Sequence, residues 1–222
     1  MVYHLKFDLS FTRNTYSGKY YAFEGIDGSG KSTQAALLTE YFEKMGKTVL
    51  RTKEPTDGAI GVLIRKILNK ELVVPAISLQ YLFCADRAVH LEEVVIPALK
   101  KGSIVISDRS LWSAITYGLV DQGVPEAEKE HLLVAQNVMS MYGGFLIPDR
   151  TFLLDMPYEE ALQRVEGRQQ QHNIYDKSEK LKKIRQEYIW LTRKFSEAFI
   201  VIEGDGHHTP EQVHQLVVSS IT

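Results

Sequence analysis

The chain has 222 residues, of which 44% are apolar and 24% charged, and its formal net charge is −2. This is the balance of an ordinary globular domain; it carries no basic surplus that would point to nucleic acid as a partner, and no run of about 18 apolar residues reads as a membrane span. One cysteine, Cys84, leaves no internal disulfide and no multi-cysteine metal site, and its apolar run Tyr81-Leu82-Phe83-Cys84-Ala85 argues for a packed thiol.

In chain order, Met1 to Ser10 alternates apolar and polar residues and lacks the apolar stretch of a secretory signal, so a cytoplasmic location is the default expectation. Tyr3, Leu5, Phe7, Leu9 and Phe11 recur with period 2, which suits an edge strand or hairpin within an N-terminal extension of residues 1–17. Tyr20 to Glu24 is a short apolar strand that runs directly into a glycine-rich turn. Lys31 to Lys44 has the apolar stripe of a helix, stopped by Gly46. Thr48 to Thr52 is a second strand, and Ser78 to Lys100 reads as one long helix bent near Pro97. Strands follow at Ile104 to Ile106, Thr151 to Leu154 and Ile200 to Ile202, each with polar residues just past its carboxyl end. Strands alternating with helices favour a parallel sheet covered on both faces, and in such sheets ligands bind at the carboxyl edge. Thr209, Pro210 and Gln212 predict a capped start for the last helix. With no repeat or linker in view, the expectation is one domain over residues 1–222.

The segment Gly25-Ile26-Asp27-Gly28-Ser29-Gly30-Lys31-Ser32 fits the phosphate-binding loop pattern, between a strand and a helix as that loop requires. Its glycines permit the backbone angles that turn successive N–H groups toward an anion. Lys31 brings a positive charge to the β- and γ-phosphates of ATP, Ser32 can hold Mg2+, and the helix start, including Thr33, adds its dipole. No N-K-x-D segment for reading guanine is present, which argues against a GTPase.

Several separated segments give the chain its resemblance to the thymidylate kinase family from about Lys19 onward. These are Phe23 to Gln34 with the embedded Asp27; Leu82-Phe83-Cys84-Ala85-Asp86-Arg87-Ala88-Val89-His90-Leu91-Glu92-Glu93; Ser107-Asp108-Arg109 with Ser113 and Tyr117; and Pro148-Asp149-Arg150-Thr151. Phe83 and Arg87 share a helix face, and the resemblance implies that they hold a thymine ring. It also implies that Arg109 grips the acceptor phosphate with its planar fork, that Asp108 joins Ser32 at the metal, and that Asp27 sits near the sugar and the transferred group. Glu54, Pro55, Ser113 and Tyr117 complete the implied acceptor site, with Tyr117 excluding a 2′-hydroxyl. The extra arginine for the transition state is implied in a short lid at about 164–177, as Arg168 or Arg164.

This chain departs from the family pattern at several places. Lys53 stands where many relatives have arginine, Ser110 where tyrosine or histidine is frequent, and Ala114 where some relatives place a polar residue that reads the thymine edge. The lid segment Gln169 to Asn173 is poor in arginine. The resemblance implies a P-loop three-layer α/β/α fold with a mainly parallel sheet of about five strands, which converts ATP and thymidine monophosphate to ADP and thymidine diphosphate with Mg2+, as a homodimer. Two alternatives remain at this point: a kinase for another nucleoside monophosphate or a deoxynucleoside, and a nucleotide-binding protein without catalysis.

Overall fold

The computed structural model describes residues 8–123, 128–166, 174–204 and 208–221. Five strands, β1 (Lys19–Glu24), β2 (Val49–Lys53), β3 (Ile104–Asp108), β4 (Arg150–Asp155) and β5 (Phe199–Glu203), pair entirely in parallel in the order β2-β3-β1-β4-β5. The expected parallel α/β architecture is therefore present.

Because side chains alternate across a strand, each strand feeds two cores. Phe23, Ile104, Ile106, Phe152, Leu154 and Ile202 point to one face and pack beneath α1 (Lys31–Lys44) and α9 (Pro210–Ser219). Tyr20 and Val105 point to the other, where Leu91, Val95 and Leu99 cover them. Leu153 and Phe199 also face that side, under α5 (Leu111–Gln122), α6 (Glu128–Ser140), α7 (Tyr158–Glu166) and α8 (Ile174–Lys194). Burial on both faces is why these strands read as continuous apolar runs.

Local chemistry sets the element ends. Gly46, at φ 73°, closes α1 as Lys47 N–H reaches back to Phe42 O at 3.0 Å. The capping box at Thr209 and Gln212 forms as expected. The long helix expected over 78–100 is interrupted: α3 (Ala76–His90) passes through a π-helical turn, Leu91–Val95, before α4 (Ile96–Lys100). Pro97 has no N–H for the carbonyl four residues back, and the helix widens one turn earlier to absorb the mismatch. A further helix, α2 (Ala59–Leu68), packs beside α3.

Residues 8–17 do not join the sheet. Thr12 bridges the loop before β4, donating to Phe145 O at 2.9 Å and accepting from Ile147 N–H at 3.0 Å. Leu9 and Phe11 pack onto the larger core. Residues 1–7 of the expected edge strand lie outside the described residues.

Candidate active site

The loop after β1 is built by its glycines. A Cβ on Gly28, whose φ is 89°, would lie 2.4 Å from the carbonyl oxygen of Ala161 in α7. Gly30, at φ 97°, turns the chain into α1. Lys31 is buried and donates to Ile26 O at 2.8 Å, with Asp27 3.9 Å away. Burial and the Arg109 charge push its pKa down to about 8. The cation is thus held inside the loop, charged at neutral pH but nearer to losing its proton than an exposed lysine.

Ser32, in the first turn of α1, donates its hydroxyl to Asp108 Oδ2 at the end of β3. Among the described residues no three His, Cys, Asp or Glu side chains converge into a metal cage. Two hard oxygen donors beside a phosphate loop nevertheless suit Mg2+, which keeps water and phosphate oxygens for most of its shell.

Arg109 follows Asp108 with φ 80°, a left-handed conformation uncommon for a non-glycine residue. Its Nη2 donates to Asp27 and to the Tyr117 hydroxyl at 3.2 Å, and its Nη1 donates to Ser113 Oγ at 3.0 Å. The guanidinium lies over the Tyr117 ring, 5.2 Å from its centroid. Burial raises the Asp27 pKa, but the neighbouring Arg109 and Lys31 outweigh it and hold the carboxyl below its usual range. Burial pushes the Tyr117 phenol up to about 12, so it serves as a neutral donor and acceptor.

A second cluster joins β2 to α3. Arg87, buried at 5% exposure, donates Nε to Glu54 Oε2 at 2.9 Å, and Nη2 to the same oxygen. His90 Nδ1 meets Glu54 Oε1 at 2.9 Å, and its Nε2 meets Thr52 Oγ1 at 2.7 Å. Although burial opposes ionisation, Arg87 and His90 hold the Glu54 pKa down to about 2. Arg87 stacks over the Tyr142 ring at 5.0 Å, and its buried Nη1 has no partner among the described residues. Asp86 anchors the loop after β2 by accepting from Thr56 N–H at 2.8 Å and Thr56 Oγ1 at 2.6 Å.

The family model of thymidylate kinase matches residues 23–217. A probable thymidylate kinase of Pyrococcus abyssi is 37% identical over 209 residues, covering 92% of this chain and 96% of that protein. The thymidylate kinase of Caldanaerobacter subterraneus subsp. tengcongensis is 36% identical over 205 residues, covering 92% and 95%. This chain belongs to the thymidylate kinase family. The crystal structure of thymidylate kinase from Ehrlichia chaffeensis superposes with a TM-score of 0.66 at 26% identity, covering 92% of this chain and 98% of that one.

Within this thymidylate kinase fold, the expected residues divide into groups. Asp27, Arg109, Ser113 and Tyr117 meet directly, as do Ser32 and Asp108. Glu54, expected at the acceptor site, is buried with both carboxylate oxygens engaged by Arg87 and His90. Phe83 is half-buried one turn before Arg87 on α3, and Pro55 is half-buried beside Glu54. Neither Phe83 nor Arg87 lines the cavity of about 540 Å³ that opens beside the loop between Ser32, Lys53, Asp57, His90, Glu93 and Asp108. Lys53 pairs with Asp57 at 3.2 Å. Arg168 lies outside the described residues; Arg164 stands on α7 three residues beyond Ala161, whose carbonyl abuts Gly28. Sequence reasoning missed His90 and Tyr142 at the second cluster, because a buried polar residue inside an apolar pattern carries no spacing signature of its own.

Proposed function

We propose that this chain transfers the γ-phosphoryl group of ATP to thymidine monophosphate, giving ADP and thymidine diphosphate. The observation that carries the reading is that Arg109 gathers Asp27 of the phosphate loop together with Ser113 and Tyr117 of α5. Family membership supports it independently. Donor phosphates draw Lys31 off the Ile26 carbonyl and are wrapped by the amides of residues 25–33. Arg109 exchanges its contact with Asp27 for the acceptor phosphate, a bidentate role that its planar fork suits. Thymine lies against Phe83 and takes a hydrogen bond from the free Nη1 of Arg87; Tyr117 packs on the deoxyribose. Ser32 and Asp108 hold Mg2+, which when bound neutralises charge on the transferred group. An acceptor phosphate oxygen attacks the γ-phosphorus in line, and no covalent enzyme intermediate forms. A lid arginine, Arg168 or Arg164, completes the charge neutralisation.

Two copies pair through the apolar face of α2 and α3, where Val62, Leu63, Ile77 and Tyr81 are exposed, Tyr81 at 60%. The reaction belongs in the cytoplasm, and no helix among the described residues is long and apolar enough to cross a membrane. The test is transfer from γ-labelled ATP to a panel of thymidine monophosphate, other nucleoside monophosphates and thymidine. The expected result is the highest kcat/KM with thymidine monophosphate. Preference for thymidine, or ATP binding without transfer to any acceptor, contradicts the proposal.

A further inference from the structure

Glu24 ends β1 and is fully buried, at 0% exposure. Among the described residues no Lys, Arg or His side chain pairs with it directly, and its carboxylate instead collects five hydrogen bonds. Ser110 N–H at 2.7 Å, Ser110 Oγ at 2.8 Å and Ser113 N–H at 3.2 Å reach Oε1. Ser113 Oγ and the Tyr188 hydroxyl, the latter at 2.8 Å, reach Oε2. Ser110 occupies the cap position of α5 without capping it. The acceptor for the first turn therefore comes from β1, and an anion there is favoured by the helix dipole.

The residue squeezed between these contacts is Arg109. Its left-handed backbone is pinned on one side by Arg109 N–H to Phe23 O at 2.9 Å, and on the other by Ser110 N–H to Glu24. Conformations of this kind persist only where the surroundings over-determine them. The side chain is tied as well, because Ser113 Oγ accepts from Arg109 Nη1 while donating to Glu24. Tyr188, from α8, closes the cluster 2.9 Å from Ser113 Oγ.

We propose that Glu24 is a positioning residue for Arg109: it fixes the turn and the hydroxyl that aim the guanidinium at the acceptor phosphate, and Tyr188 holds Glu24 in place. This rests on the reading of Arg109 given above. The experiment is steady-state kinetics of Glu24→Gln in the native and Arg109→Ala backgrounds, varying thymidine monophosphate and ATP separately. Alone, Glu24→Gln lowers kcat/KM for thymidine monophosphate roughly 10- to 100-fold, since a misaimed group is costly, and changes KM for ATP by less than about twofold. In the Arg109→Ala background the same change costs under about threefold, because no guanidinium is left to aim. Losses that multiply in full, or a silent Glu24→Gln in an enzyme that Arg109→Ala inactivates, overturn the proposal. A fully active Arg109→Ala contradicts the acceptor-site reading instead. Should Glu24→Gln fail to fold, Tyr188→Phe keeps the ring and removes one donor. It is expected to show a smaller loss of the same kind that vanishes in the Arg109→Ala background, and a loss of equal size in both backgrounds counts against the inference.

Discussion

Lys31 and Arg109 illustrate how this cleft prepares for anions with charges that repel each other when it holds none. Burial and the Arg109 cation keep the Lys31 pKa at about 8, with Asp27 moderating both. Below that pH Lys31 is charged and attracts phosphate; above it the amine is neutral and the attraction is lost. Affinity for ATP measured by calorimetry should therefore fall as pH rises through about 8. In Arg109→Ala the repelling charge is gone, so the midpoint should move to higher pH; an unmoved midpoint means that Arg109 does not act on Lys31. At this scale the spacing of residues 25–32 spoke for itself, whereas Asp108-Arg109 came into view only through the family resemblance. The sequence was silent on Glu24 and His90, whose roles depend on partners brought together by the fold. Glu54 shows the limit from the other side: its position beside the cleft was legible, but its engagement by Arg87 and His90 was not.

At the scale of elements, the site is a consequence of parallel strands. The carboxyl ends of β1 and β3 are neighbours in the sheet, so the phosphate loop and Asp108-Arg109 emerge side by side although some 80 residues separate them in sequence. Strands and caps were readable, because apolar runs and the Thr209–Gln212 box are local signals. The π-helical turn before Pro97 was not, since a proline announces a disturbance but not how neighbouring turns absorb it. Nor was α2 placed, although its run Ala59–Leu68 carries a marked apolar stripe with Arg65 and Lys66 set apart from it. The α9 cap has a measurable worth: Thr209→Ala removes the acceptor for Gln212 N–H and should cost about 1 kcal/mol. In a chain of this size that lowers the thermal midpoint by roughly 2–4 °C. An unchanged midpoint in calorimetry would show that the cap bond adds nothing.

At the scale of the whole molecule, the sheet separates two tasks. On the proposed reading, the helices that follow β2 and β3 carry the acceptor residues Phe83, Arg87 and Tyr117, while the loop between β1 and α1 takes the donor. The apolar surface of α2 and α3 lies on the outside of that acceptor half, where pairing of two copies would bury it. Light scattering should give a dimer mass for the native chain and a monomer mass for Tyr81→Arg; a native monomer at every concentration contradicts the pairing. The resemblance implied a homodimer, but the proposed pairing face could not be read from the sequence, since apolar residues facing a partner and those facing the core follow the same helical period.

The central claim is that one cleft holds two nucleotides, with Arg109 between them. Its most direct test is a crystal structure with thymidine monophosphate and a non-hydrolysable ATP analogue. The account predicts a triphosphate in the loop at residues 25–33, the acceptor phosphate on Arg109, and the thymine ring against Phe83 within hydrogen-bond reach of Arg87 Nη1. An acceptor bound elsewhere, or an Arg109 still turned to Asp27 with both nucleotides present, contradicts it.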